Sequence, residues 1–563
     1  MQQTRTCRTC SNDFAISEED FGFYEKMSVP APTLCPDCRQ QRRYAWRNER
    51  TLYRRSCDLC GKSTVTIYSA TKPFKVYCVP CWWGDGWDPA SFGREYDFSR
   101  PFFEQFSELQ HEVPRMALLT KNSINSEYTN HSGDNKNAYL SYSCFGGENI
   151  SYSSFIMQSR ECMDSQYIYE AGERLWEVND SRKSYQCEWS ALLKDCTNMK
   201  YCYDCHGSSD CFLSNNLRNK RFVFLNEQLS KDEYMARVAE YNLASFQTRE
   251  ILANAFLELV RNHTIHKYAV AERNVNSTGS MLFNSKGSTF CFDGEKVEDV
   301  KYLYSGLYIK TSMDNYHVGY NSELIYENQG CSRTSNCAFC HLCYDNTFLQ
   351  YCDSCQNSQN LFGCVSIKKG EYMILNKKYS KEEYTDLRAR IIEHMKSTGE
   401  YGEFFPPSIA PVYYNETQGA LYMPLSKEET LSRGWQWEDN LPGTYGRETV
   451  APENVPDSIL DVPDSATKEI YRCIVCTKNF NVVPDELAFY RREIIPLPRR
   501  CPDCRYKRRF ALRPPRKLWK RTCMCDRENH EHAETCTNAF ETPFAPERPE
   551  HVYCEACYQQ EVI

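Results

Sequence analysis

No stretch of this chain approaches the apolar length of a membrane span. The opening MQQTRTCRTC lacks the apolar core that a secretory leader carries. These absences lead us to expect a cytoplasmic protein with reduced thiols and no membrane partner. There is no Gly-rich phosphate cradle, no G-x-S-x-G elbow and no H-E-x-x-H pair, and the 11 histidines are scattered. No catalytic constellation is left, so a non-enzymatic role is expected. An enzyme on a carbohydrate-active or similar repeat fold is a further alternative, since fold does not imply function.

Cysteine is abundant, with 32 in 563 residues. A disulfide framework suits neither this length nor the missing leader, whereas C-x2-C pairs suit metal ligation. The ends of the chain are copies. Cys7-x2-Cys10 precedes Cys35-x2-Cys38 by 24 residues, and Cys473-x2-Cys476 precedes Cys501-x2-Cys504 by the same 24. CPDCRQQRR at 35–43 returns as CPDCRYKRR at 501–509, 466 positions on. Phe23 and Tyr24 return as Phe489 and Tyr490. Four thiolates close a tetrahedral zinc site with no open position, which is structural rather than catalytic.

A second module follows each. Cys57-x2-Cys60 stands 17 residues before Cys78-x2-Cys81, and Cys536 stands 17 residues before Cys554-x2-Cys557. The insertion MCDRENHEHAET splits the last first knuckle, so either Cys523 or Cys525 completes that site. His530 and His532 inside it are expected to be solvated loop residues. Four closed sites imply about four structural Zn2+ ions.

Residues 7–47 and 473–513 resemble the treble-clef zinc-ribbon domain family: C-x2-C, an aromatic-rich hairpin with an F-Y pair, then C-P-x-C-R opening a basic helix. The resemblance implies a β-hairpin followed by a helix that begins at the second knuckle. The order of segments along the whole chain is similar to that of zinc-ribbon proteins of candidate-phylum bacteria, which implies no particular activity.

Behind the knuckles stand Arg39, Arg42, Arg43 and Arg47, and again Arg505, Arg508, Arg509 and Arg513, interleaved with aromatics. Guanidinium forks beside aromatic planes suit phosphates and unstacked bases, so nucleic acid, RNA ahead of DNA, is an expected partner. The same arginines could instead balance nearby thiolates or form a solvated face. A protein partner on the central region is the alternative.

The middle holds its own duplication at an offset of 150: CMDSQYIYEAGERLWE at 162–177 matches SMDNYHVGYNSELIYE at 312–327. Asp164 and Asp314 occupy equivalent positions, which a structural turn role explains. Short beats rich in Asn, Ser, Tyr and Cys recur about every eleven to thirteen residues, which predicts short strands stacked as a β-solenoid, with a β-sandwich as the alternative. Interior Cys, Tyr and Phe are expected to form ladders. The central C-x2-C pairs are irregularly spaced and are read as packed thiols rather than ligands. Ser230 with Glu233 and Ser380 with Glu383 read as capping boxes of helices that close the stack ends.

The expected architecture is therefore multidomain and mainly β, a duplicated β-solenoid-like region with short capping helices between small zinc modules. Its parts are a treble clef at 1–50, a ribbon at 51–95, repeat halves at 120–262 and 263–398, an irregular extension and exposed linker at 399–470, a second clef at 471–518 and a second ribbon at 519–563.

Overall fold

The computed structural model describes residues 2–527, 530, 532 and 535–563, so part of the insertion at 524–535 lies outside the described residues. The chain is mainly β, with two nine-stranded sheets and one five-stranded sheet in its middle. In the first half, Glu148–Ser151, Arg160–Met163, Glu173–Trp176, Tyr185–Glu188, Thr197–Lys200, Ser209–Phe212 and Arg221–Phe224 pair in parallel, each displaced by twelve or thirteen residues from the last. A second sheet, from Ser154–Ile156 to Tyr203–His206, repeats the same step. The second half repeats the pattern from Ser322–Tyr326 to Glu371–Ile374.

Four-residue strands need frequent corners. Left-handed backbone recurs at every third residue over a long run, including Asn149, Tyr152, Phe155, Gln158, Glu161, Asp164 and Tyr167. Each such L-residue costs about 1–2 kcal/mol in isolation. Bonds between successive coils offset that strain. Asn125 donates to Asn137 at 3.1 Å and Asn137 to Asn149 at 2.9 Å, one asparagine per coil. Buried serines do two jobs: Ser153 Oγ donates to the Ser151 carbonyl at 2.9 Å and accepts the Ser165 N–H at 3.1 Å. Cys162, Cys187 and Cys202 likewise donate S–H to the carbonyl two residues back. The Asn, Ser and Cys enrichment is thus a requirement of the backbone.

Cysteines and aliphatics fill one continuous core in each half. The aromatic ladders expected among them lie in separate clusters. Trp176, Trp189, Tyr201, Phe212 and Phe224 follow one another at ring-centroid spacings of 5.4–6.2 Å. They pack under the helix Phe246–Asn262 and the C-terminal module. Tyr326, Phe339, Tyr351 and Phe362 form the counterpart, covered by the helix Phe102–Glu112 and Phe405. The inner clusters hold Cys, Val, Leu, Ile, Ala and Met but no rings, and the aromatics pack in separate clusters against the helices.

The helices Lys231–Ala239 and Lys381–Ser397 begin at the capping boxes of Ser230 and Ser380 and meet the last parallel strand of each half. Each end carries an antiparallel hairpin, Gln3–Thr6 with Asp13–Ile16 and Tyr471–Arg472 with Asn479–Phe480. The helices Pro36–Tyr44 and Pro502–Phe510 start at the second knuckle, with Cys35 and Cys501 as N-caps. The F-Y pairs, expected on the hairpins, ride on an extra helix in each copy, Glu18–Lys26 and Pro484–Arg492. In the first copy a capping box between Ser17 and Asp20 starts that helix one residue after the strand ends.

The linker expected from its proline and acid content packs against the first half from Val455 onward, while no residue of 441–454 is buried. Val455, Ile459, Val462 and Ala466 are buried beside the first half, and the Phe246 N–H donates to Asp457 O at 2.8 Å. Four small apolar side chains spaced three to four residues apart give it a face to bury. Among the described residues no helix is long and apolar enough to cross a membrane.

Candidate metal centres and the interface behind them

Four groups of four cysteines form at the ends of the chain. They are Cys7, Cys10, Cys35 and Cys38; Cys57, Cys60, Cys78 and Cys81; Cys473, Cys476, Cys501 and Cys504; and Cys523, Cys536, Cys554 and Cys557, with all sulfurs of a group within 4.8 Å of one another. Sulfur pairs across the knuckles stand 3.6 Å apart in the Cys7 and Cys473 groups, and 3.9 and 4.0 Å apart in the Cys57 and Cys523 groups. A zinc–sulfur bond of about 2.3 Å puts tetrahedral ligands ~3.8 Å from each other, so a zinc ion fits all four.

The knuckle backbone prepares thiolates. The Cys78 N–H donates to Cys57 Sγ and the Cys554 N–H to Cys523 Sγ, both at 3.2 Å. Burial opposes ionisation of Cys57, Cys473 and Cys554, yet backbone N–H donors from both knuckles hold Cys57 and Cys473 at about 7, and the Cys557 N–H with the Asn538 side chain holds Cys554 there too. The Cys38 side chain draws Cys35 down to about 5. In the middle of the chain burial pushes Cys144, Cys211 and Cys291 up to about 12, whereas the Cys343 and Cys352 side chains hold the buried Cys355 at about 7; burial also pushes the knuckle Cys501 up to about 12, so ionisation alone does not separate the two sets. Cys523 takes the place of Cys57. Cys525 stands in a separate group with His530, His532 and Cys557. His530 is therefore not a solvated loop residue: its side chain is only 3% exposed, and His532 beside it is half-buried.

The eight arginines behind the knuckles face inward. Arg39 lies 2.9 Å from Asp314, and Arg43 lies 3.4 Å from Asp314 and 2.6 Å from Glu327. In the other copy Arg505 lies 2.9 Å from Asp164, and Arg509 lies 3.0 Å from Asp164 and 3.1 Å from Glu177. The internal offsets of 466 and 150 thus meet in one contact, arginine i and i+4 of a clef helix on an acid pair of a repeat half. Around this shared centre, Arg42 pairs with Glu403, Arg47 with Glu49, Arg508 with Glu177 and Glu250, and Arg513 with Asp180 and Asp293. Burial opposes the charge of Arg39, but Asp314 holds its pKa well above the ordinary value. Burial pushes Glu327 up to about 7 even beside Arg43, because Asp314 shares the same cations.

These positions place the eight arginines in ion pairs rather than on an open face of the two helices. Arg39, Arg43, Arg47, Arg505, Arg509 and Arg513 are almost sealed from solvent, and only Arg42 and Arg508 keep a small exposed edge. The signal was present in the sequence as Asp164 and Asp314, which serve as counter-charges and not only as turn residues. The docking is crossed: the N-terminal clef sits on the second half and the C-terminal clef on the first. The two clefs also meet each other. Arg516 donates to Tyr44 Oη at 3.2 Å, Tyr422 stacks on Tyr44, and Arg50 lies 3.8 Å over the Tyr506 ring.

No protein-family model and no curated protein matches the chain. Among solved structures, the crystal structure of a "putative acetyltransferase" from Desulfovibrio desulfuricans G20 aligns at 8% identity and a TM-score of 0.12, over 51% of this chain and 83% of that one. A likeness that slight carries no argument about fold or activity.

Proposed function

We propose that the protein is a non-enzymatic, zinc-dependent scaffold whose two parallel stacks are the halves of a β-solenoid that acts through protein partners. The zinc modules are its clamps. One observation supports this reading most: Arg39 and Arg43 of one clef helix, and Arg505 and Arg509 of the other, are paired with buried carboxylates of the stacks. Zinc holds each helix at the angle that delivers its arginines, and the ion pairs then fix where the module sits. With those cations neutralised internally, a net charge of -8 remains and disfavours polyanions.

Fluorescence anisotropy with single-stranded RNA, duplex RNA and duplex DNA at low salt tests it. No binding is expected. Saturable binding that falls steeply with added salt would restore the nucleic-acid reading.

A second reading, small-ligand binding or catalysis, draws on a cleft of about 440 Å³ between the halves, lined in part by Tyr169, Phe283 and His206. Its acids face cations: Asp180 and Asp293 meet Arg513, Asp204 meets Arg218, and Glu272 meets Lys194. That pattern favours recognition of a polar ligand over paired acid–base chemistry.

A further inference from the structure

The last ribbon has more ligands than one metal can use. Cys523, Cys536, Cys554 and Cys557 already complete a tetrahedral set, in the same relation as Cys57, Cys60, Cys78 and Cys81. Cys525, His530 and His532 are left over, and their donor atoms converge on the one sulfur they share with that set, Cys557. We infer that the C-terminal ribbon holds two metal ions bridged by the Cys557 thiolate, the second ligated by Cys525, His530 and His532. This rests on the zinc-clamp reading and adds a fifth ion to it.

The geometry fits a borderline-soft divalent cation such as zinc. His530 Nδ1 stands 3.1 Å from Cys525 Sγ, and His532 Nε2 stands 3.4 Å from Cys557 Sγ. Zinc bonds of about 2.3 Å to sulfur and about 2.0–2.1 Å to nitrogen give a tetrahedral edge of ~3.6 Å between unlike ligands. The group also has an outer support. His530 Nε2 lies 3.4 Å from Glu561, which is itself held by Arg527 at 2.9 Å. A carboxylate behind the far nitrogen of an imidazole fixes the ring and its tautomer for ligation. Cys525 is wholly buried, where a metal-free thiol would gain nothing from two imidazoles drawn in from a polar insertion.

Charge favours the pair. Four thiolates on one dication leave -2, whereas five thiolates on two dications leave -1, with both histidines neutral. Burying the smaller charge costs less. The first ribbon has no counterpart to the inserted segment, so the second site is a property of one copy alone.

Native mass spectrometry of the zinc-loaded full chain tests the inference. Five zinc ions are expected, falling to four in His530→Ala/His532→Ala with an unchanged circular dichroism spectrum. Cobalt loading gives a readout that needs no variant: the fifth equivalent should lower the paramagnetic signal per ion, because two cobalt ions sharing a sulfur couple. Saturation at four ions in wild type, or five uncoupled cobalt ions, would overturn the bridged site and leave the clamp reading standing. A folded chain with no bound metal would overturn both.

Discussion

Asp314 and Asp164 each stand between two arginines from a distant part of the chain, with Arg43 271 residues from Asp314 and Arg509 345 residues from Asp164. Pairs this buried add little net stability over an apolar replacement, but removing one partner strands the other. Asp314→Asn should therefore cost about 3–5 kcal/mol in chemical denaturation. Arg160→Gln, which breaks the exposed pair with Glu173, should leave stability nearly unchanged. Similar small losses in both would show that the buried acids do not hold the module. Glu188 offers a pH test. Burial opposes its charge, but Lys200 and Arg249 hold it at about 2, below its ordinary 4.5. Its stabilisation is complete above the unfolded value and fades as the pH falls toward the folded one. The gap in urea midpoint between wild type and Glu188→Gln should be constant above pH ~5 and should narrow below it. At this scale the knuckle cysteines were legible, because their spacing encodes their ligand geometry. The arginines were not, because a guanidinium's role depends on its partner and the partners are remote in sequence.

At the scale of the element, the coil works as a hydrogen-bonding unit. Ser153→Ala removes the acceptor for the Ser165 N–H and should cost about 1–3 kcal/mol, since that amide is left buried and unpaired. Amide hydrogen exchange would show it as lost protection at Ser165 with little change in distant coils. Unaltered protection there would mean that the ladder does not depend on serine. The beat of eleven to thirteen residues was readable because stacking demands a nearly constant step. The left-handed corners were not, because many fall on Tyr, Phe and Glu rather than on Gly or Asn. Proline and acid likewise disguised 455–470, where four spaced apolar residues outweigh the polar majority.

Over the whole molecule, two duplications interlock. The shared arginine–acid centre is the same in both unions, so it cannot decide which clef joins which half. The outer pairs can, since Arg42 meets Glu403 whereas its counterpart Arg508 meets Glu177 and Glu250. Stripping zinc should release both clefs and uncover the ladders of Trp176 to Phe224 and Tyr326 to Phe362. A strong zinc chelator should thus raise the fluorescence of an apolar-surface dye, and added zinc should reverse it. No dye response after verified metal loss would show that the clamps are dispensable.

The crossed docking has a consequence on the ribosome. Arg43 is made 284 residues before Glu327, its partner. At about 5–20 residues per second the first clef waits roughly 15–60 s for its seat. The first repeat half waits longer, because Arg509 of the C-terminal module that packs over its aromatic ladder is made 345 residues after Asp164. Until then part of a row of tryptophan, tyrosine and phenylalanine rings lies open to other nascent chains. Slowing translation between codons 262 and 471, while that surface is open, should therefore lower the soluble yield more than slowing it before codon 120.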